Sequence, residues 1–132
     1  MAAFHATWWE HPQLTEWEWL SPLQEEQMTL ARAIYQGCWG PFQAVYASLL
    51  APEIKSLGSR LAESLPRMNQ ALSAEPQTLA HFDYKADNLF FREDGGECSL
   101  VAIDWQSVTG TRGVYDLAYF LAWSLPPEDR RA

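Results

Sequence analysis

His81-Phe82-Asp83-Tyr84-Lys85-Ala86-Asp87-Asn88, the polar run over 81–88, and Ile103-Asp104-Trp105-Gln106, over 103–106, decide how this chain is read. Between them lie Leu89-Phe90-Phe91, a short apolar strand, and Glu93-Asp94-Gly95-Gly96, a turn of hairpin type. The return strand Ser99-Leu100-Val101-Ala102-Ile103 ends at Asp104. Antiparallel strands set the start of the first beside the end of the second, so Asn88 and Asp104 should meet in space. Asp83 sits in the loop that feeds the same end. Two carboxylates and an amide oxygen are hard donors, suited to Mg²⁺ rather than zinc. Two unit charges about 7 Å apart repel by about 2 kcal/mol at an effective dielectric of ~20. A divalent cation beside Asp104 removes that cost and leaves Asp83 ionised.

Upstream of the loop the pattern is helical. Residues 2–10 put Phe4 and Trp8 on one helix face. Ser21-Pro22 reads as an N-cap with proline at the first helical position, opening a helix to Tyr35 with Glu25 and Glu26 near its positive end. Gly37 and Gly40-Pro41 should stop it, and a further helix is expected from Pro41 to Leu50. From Pro52, the residues Ile54, Leu57, Leu61, Leu65, Met68 and Leu72 form an amphipathic stripe, with a kink or break expected at Pro66. Thr78-Leu79-Ala80 is a short apolar approach to the loop. Downstream, Gly110 and Gly113 flank a turn, and Tyr115 to Ser124 is an apolar helix with one acid, Asp116, near its start. Helices, a hairpin and a final helix make an α+β pattern.

At 132 residues the chain has room for one domain, and 48% hydrophobic residues allow a core. The formal charge of -8 is spread along the sequence, which argues against a nucleic-acid partner, since phosphate contacts need Lys and Arg. Trp8, Trp9, Trp17, Trp19 and Trp39 crowd the first forty residues and read as packing aromatics rather than a base-stacking platform. Cys38 and Cys98 are too few for a disulfide framework and read as reduced, buried thiols of a cytosolic protein. No apolar run reaches the ~18 residues of a membrane span. Met1 to Glu10 lacks the basic start and apolar run of a signal peptide. The expected setting is cytoplasmic, with no membrane partner.

The loop resembles the catalytic loop of kinases, His-x-Asp-x-x-x-x-Asn, and Ile103-Asp104-Trp105-Gln106 resembles the metal-binding segment that follows it. The stretch from Ala80 to Leu125 is similar to the aminoglycoside phosphotransferase and choline kinase-like superfamily, which has the protein kinase-like fold. Gly110-Thr111-Arg112-Gly113-Val114-Tyr115-Asp116-Leu117-Ala118-Tyr119-Phe120-Leu121 extends the likeness. Phe4-His5-Ala6-Thr7-Trp8-Trp9 is similar to the helix after that family's hinge, whereas 10–78 matches only in being helical.

The resemblance implies a mainly helical C-terminal lobe spanning 1–132, with a small β-hairpin carrying the catalytic loop and the metal-binding Asp. It implies transfer of the γ-phosphate of ATP to the hydroxyl of a small molecule. Asp83 would be the catalytic base, and Lys85 sits where protein kinases place a phosphate-contacting lysine. Asn88 and Asp104 would hold Mg²⁺ on the ATP phosphates. His81 would hydrogen-bond backbone near the metal segment, and Asp116 would accept hydrogen bonds from the loop backbone, since an acid inside an apolar helix has to be paired. The pattern departs from the family at Phe82, where glycine is usual. The nucleotide-binding lobe and the last C-terminal helices have no counterpart, so this chain alone is expected to have little activity and to need the missing lobe or a partner chain. Two alternatives stand beside this reading: a non-catalytic kinase-like remnant acting through a partner, and a metal-dependent phosphohydrolase using Asp83 and Asp104. Among acceptors, an antibiotic, choline, a sugar, a homoserine-like alcohol and a steroid all stay open.

Overall fold

The computed structural model describes residues 1–20 and 25–131, arranged as two compact units. One unit is formed by the N-terminal segment to Pro22 together with Ser73–Ala132, and the other by Leu23–Leu72. The predicted helix start at Ser21-Pro22 lies outside the described residues. Helices and two small antiparallel sheets make the fold α+β. None of the described helices is long and apolar enough to cross a membrane.

In the first unit the hairpin is longer than its apolar centre suggests. Strands β2 (Leu89–Asp94) and β3 (Glu97–Ala102) pair from Leu89↔Ala102 to Asp94↔Glu97. Gly95 and Gly96 alone make the turn, at φ +59° and +88°. Two successive positive φ values are what a tight hairpin turn needs, and glycine meets them at no steric cost. A second pairing was not legible in the sequence. Thr78–Ala80 is a strand, β1, and Thr109–Thr111, which overlaps the turn expected between Gly110 and Gly113, is its partner β4. Three-residue strands lack enough alternation to announce themselves, and it is their pairing that defines them. Helix α1 (Ala2–Thr7) lies against β1, where the His5 carbonyl accepts from the buried Thr78 hydroxyl at 2.8 Å. Four-residue helix α2 (Gln13–Glu16) follows, and Trp8, Trp17 and Trp19 pack on one another in series. These tryptophans contact each other, as a packing role requires.

In the second unit α3 (Glu25–Tyr46) and α4 (Pro52–Leu72) form a helical hairpin. The expected stop at Gly37 and Gly40-Pro41 does not occur, and one helix runs through Pro41 to Tyr46. Proline removes one hydrogen bond there, but side-chain packing carries the helix past it. Tyr35, Trp39, Phe42 and Tyr46 recur every three or four residues, and each ring packs on the next at centroid distances of 4.8–5.8 Å. Helix α4 likewise passes through Pro66 without ending. Within its stripe Leu61 and Leu65 are half-buried, while Ile54, Leu57 and Met68 are exposed. Cys38 and Cys98 are free thiols, but both are exposed, not buried as expected. Cys98 faces solvent on a two-stranded ribbon whose Phe91 and Leu100 are exposed as well.

Candidate functional site

The loop after β1 is built on buried polar groups. His81, Thr78 and Asp116 are among the least accessible side chains in the chain. Asp116 lies in the first turn of helix α5 (Val114–Ser124). Its Oδ2 accepts the His81 backbone N–H at 2.9 Å, and its Oδ1 accepts that of Phe82 at 2.9 Å. A buried carboxylate is tolerated when such donors surround it, and here they are the loop's own amides. His81 works in the opposite direction. Its Nδ1 accepts the Asp83 N–H at 3.3 Å, which leaves Nε2–H to donate to the Ile103 carbonyl at 2.7 Å. One imidazole therefore ties the loop to the residue just before Asp104.

Phe82 occupies a left-handed backbone conformation, φ +67°. This explains why glycine suits the position: an L side chain there costs roughly 1 kcal/mol. Phe82 compensates by stacking face to face on Tyr115, with centroids 4.1 Å apart and planes 9° from parallel. Such a stack is worth about 0.5–1.5 kcal/mol.

Asp83 projects from this held segment into a ring of donors. Lys85 Nζ lies 3.0 Å from Oδ2, and Asn88 Nδ2 donates to the same oxygen at 3.0 Å and to the Asp83 carbonyl at 2.9 Å. Tyr119, one turn past Asp116 on α5, also helps to lower this carboxyl. The Lys85 bond first, then those of Tyr119 and Asn88, hold the carboxyl below its usual range, and partial burial opposes them only in part. The Lys85 ammonium is in turn held protonated to higher pH by Asp83. Burial, then the bond to Asp83, raises the Tyr119 phenol. Asp83 is thus an ionised acceptor at neutral pH. It can orient a hydroxyl strongly and take its proton only once that proton has become acidic.

Asn88 ends a short 3₁₀ turn, Ala86–Asn88, whose Ala86 N–H is capped by Ser124 Oγ at 2.8 Å. With Nδ2 spent on Asp83, the amide oxygen of Asn88 is the part left to act as a ligand. The Asn88 carbonyl accepts the Ile103 N–H at 3.0 Å, continuing the β2–β3 ladder by one pair. Asp104 follows at once, exposed and in a left-handed conformation (φ +64°). Trp105 beyond it packs on His81, 4.5 Å away, and on Phe4, 5.1 Å away.

The described residues hold no cluster of three or more His, Cys, Asp or Glu able to bind a metal. The donor chemistry present is one carboxylate, Asp104, and one amide oxygen, Asn88. That sparse hard-oxygen set fits Mg²⁺, which keeps most of its shell as water and substrate phosphate.

Of the six residues singled out in sequence, His81, Asp83, Lys85, Asn88 and Asp116 are joined by direct hydrogen bonds. Asp104 joins them through the backbone of Ile103. Three contributors were missed. Tyr119 could have been found from its spacing to Asp116 on the helix, and Ser124 from its place at the helix end. His5, which bonds Asp116 at 2.9 Å from 111 positions away, carries no local signal. The model of the ecdysteroid kinase-like family matches residues 1–132, the whole chain. No curated protein and no solved structure matches.

Proposed function

We propose, on the premise that the chain belongs to the ecdysteroid kinase-like family, that it supplies the acceptor-side half of an ATP-dependent phosphotransferase site. Kinase-like phosphotransfer follows from the family; the roles below are our reading of the residues. Residues 1–132 correspond in it to the second lobe of a protein kinase-like fold. The observation that carries it is the Asp83 carboxylate held ionised by Lys85, Asn88 and Tyr119, on a loop whose last residue pairs through Ile103 with the turn bearing Asp104.

Asp83 receives the hydroxyl of the acceptor as a hydrogen-bond donor and aligns its oxygen with the phosphoryl group to be transferred. Phosphoryl transfer through a loose transition state asks little of a base, so a carboxylate of lowered proton affinity is adequate, and positioning does most of the work. The hydroxyl proton passes to Asp83 as the new O–P bond forms and the bond from the γ-phosphorus to the bridging oxygen breaks, so that ADP leaves with that electron pair. Lys85 sets one positive charge beside that carboxylate, where transferring phosphoryl oxygens gather negative charge. Asn88 Oδ1 and Asp104 are the groups that would hold Mg²⁺, which when bound neutralises phosphate charge. The acceptor is a small molecule with a free hydroxyl, and a steroid alcohol is the member of that class named in the family's description.

The test is a thermal-shift titration with Mg²⁺ and ATP on the wild type, Asp104→Ala and Asn88→Ala. The wild type should gain thermal stability with Mg²⁺ and ATP together, and both variants should lose the gain. A wild type indifferent to both would point instead to a kinase-like remnant without catalysis.

A further inference from the structure

The carboxylate of Asp116 has three donors, and only two belong to the loop that it holds. The third is His5 on α1, whose Nε2 lies 2.9 Å from Asp116 Oδ2. A carboxylate only accepts, so the ring donates from Nε2. The ring is held from several sides. Its own backbone carbonyl is fixed by Thr78 of β1. Gly113 lies so close that a Cβ there would fall 2.8 Å from His5 Nδ1, so the absent side chain is what admits the imidazole. Phe4, next to it, packs on Trp105, which packs on His81.

We infer that His5 is a positioning residue for the loop over 81–88, acting through Asp116 on the backbone that carries Asp83. Three donors share the two oxygens of this carboxylate. Oδ2 is shared by the His5 ring and the His81 amide, and Oδ1 is left for Phe82. With the ring donor gone, the carboxylate can turn, and its two oxygens no longer have fixed partners. Phe82, strained at φ +67°, is the residue that leaves its conformation when Asp116 loosens. Asp83 is next in sequence and follows it. Two further bonds carry the shift to the rest of the site: Asn88 Nδ2 to the Asp83 carbonyl, and His81 Nε2 to the Ile103 carbonyl. The inference rests on Asp83 and Asn88 having the roles proposed above, and it assigns to α1 the control of their placement.

The experiment compares full-length wild type, His5→Leu and His5→Gln by amide hydrogen exchange and by Mg²⁺ titration followed through the Asn88 amide resonances. Leucine keeps bulk without a donor, whereas glutamine keeps an N–H near the place of Nε2. In His5→Leu the His81 and Phe82 amides should exchange about tenfold faster or more, the change expected when a charge-assisted bond is lost. The β2–β3 amides should keep their wild-type rates, and the Mg²⁺ midpoint should weaken about as much. His5→Gln should restore both. Unchanged exchange at His81 and Phe82 in His5→Leu overturns the inference, and so does a uniform acceleration of all amides, which would make His5 a matter of stability alone. If His5→Leu does not fold, His5→Gln decides: wild-type exchange at the two amides supports the inference, and fast exchange there overturns it. A wild type blind to Mg²⁺ would sink the metal reading of Asn88 and Asp104, and the amide rates would still decide for His5.

Discussion

The loop over 81–88 and the helical hairpin of α3 and α4 are each held by different means. Around 81–88 the largest fully buried side chains, His81, Thr78 and Asp116, are polar, and each has a directional partner. Along α3 the contacts are rings on rings, and this ladder meets α4 where the Trp39 ring lies over Gly58, with two flanking hydrogen bonds, Tyr35 Oη to the Gly58 carbonyl and Trp39 Nε1 to Ser59 Oγ. Hydrogen bonds fix angles, whereas apolar stacking fixes little beyond distance. The difference teaches where geometry matters. On the proposed function, a loop that presents one carboxylate to a reacting hydroxyl has to be specified by direction, while a helical pair needs only to stay together.

The sharpest way to break this contrast is to remove the acceptor at its centre. Asp116→Ala leaves the His81 and Phe82 amides and the His5 ring without this partner in a largely buried site. Each orphaned donor costs about 1–3 kcal/mol, so a loss of roughly 3 kcal/mol or more is expected. Urea denaturation with site-resolved amide exchange should show the loop and β1–β4 failing first, with α3 and α4 keeping their protection. Asp116→Asn should cost less, because its Oδ1 still accepts one amide. If Asp116→Ala lost no more than a surface substitution does, the polar network would not be what holds the loop.

The complementary change attacks the rings. Gly58 of α4 sits under Trp39, and a Cβ at Gly58 would come within 2.1 Å of the Trp39 ring. Trp39 cannot simply yield, being packed between Tyr35 and Phe42. Gly58→Ala should therefore cost about 1–3 kcal/mol from overpacking, against a gain of about 1 kcal/mol in helix propensity. A net loss of about 1 kcal/mol in urea denaturation, with altered tryptophan emission and no change in exchange at His81 or Phe82, is expected. Stabilisation by Gly58→Ala would mean that the ring ladder is loose enough to move, and that distance is not fixed there either.

The same contrast explains what the sequence disclosed. The hairpin, its glycine turn and the meeting of Asn88 with the Asp104 segment were legible because local spacing and antiparallel pairing determine them. Asp116 was legible for a physical reason, since an acid in an apolar helix must find donors. Strands β1 and β4 were not, because three residues carry no period and the two lie far apart in sequence. Pro41 misled because a local rule about one lost hydrogen bond was set against packing that only the folded helix pair supplies. The buried reading of Cys38 and Cys98 failed because cysteine's preference for burial says nothing about whether a layer exists to cover it. His5 was invisible for the most general reason: its partner is chosen by the tertiary fold alone.

The smallest expected effect on stability comes from the outer edge of the polar network, and it tests whether direction there serves function rather than folding. Lys85 and Asp83 are only part-buried, so their pairing is screened by solvent. The Asp83 carboxyl is lowered in the folded chain, chiefly by Lys85. A lowered folded value stabilises the fold above the unfolded carboxyl's pKa of about 3.9, and the contribution is lost as pH falls through the folded value. The linkage therefore acts in acid and is flat near neutrality. Lys85→Met should move the Asp83 midpoint, followed by carboxyl carbon NMR, upward toward the ordinary carboxylate range. Asn88 still donates and Tyr119 still lowers the carboxyl, so the return should be incomplete. The urea midpoint at neutral pH should move less than for either change above. A large loss of stability at neutral pH would show Lys85 to be structural. A shifted Asp83 midpoint in an otherwise unperturbed fold would show that the lysine tunes the acceptor carboxylate, and that the loop's directional bonds extend outward beyond what folding alone requires.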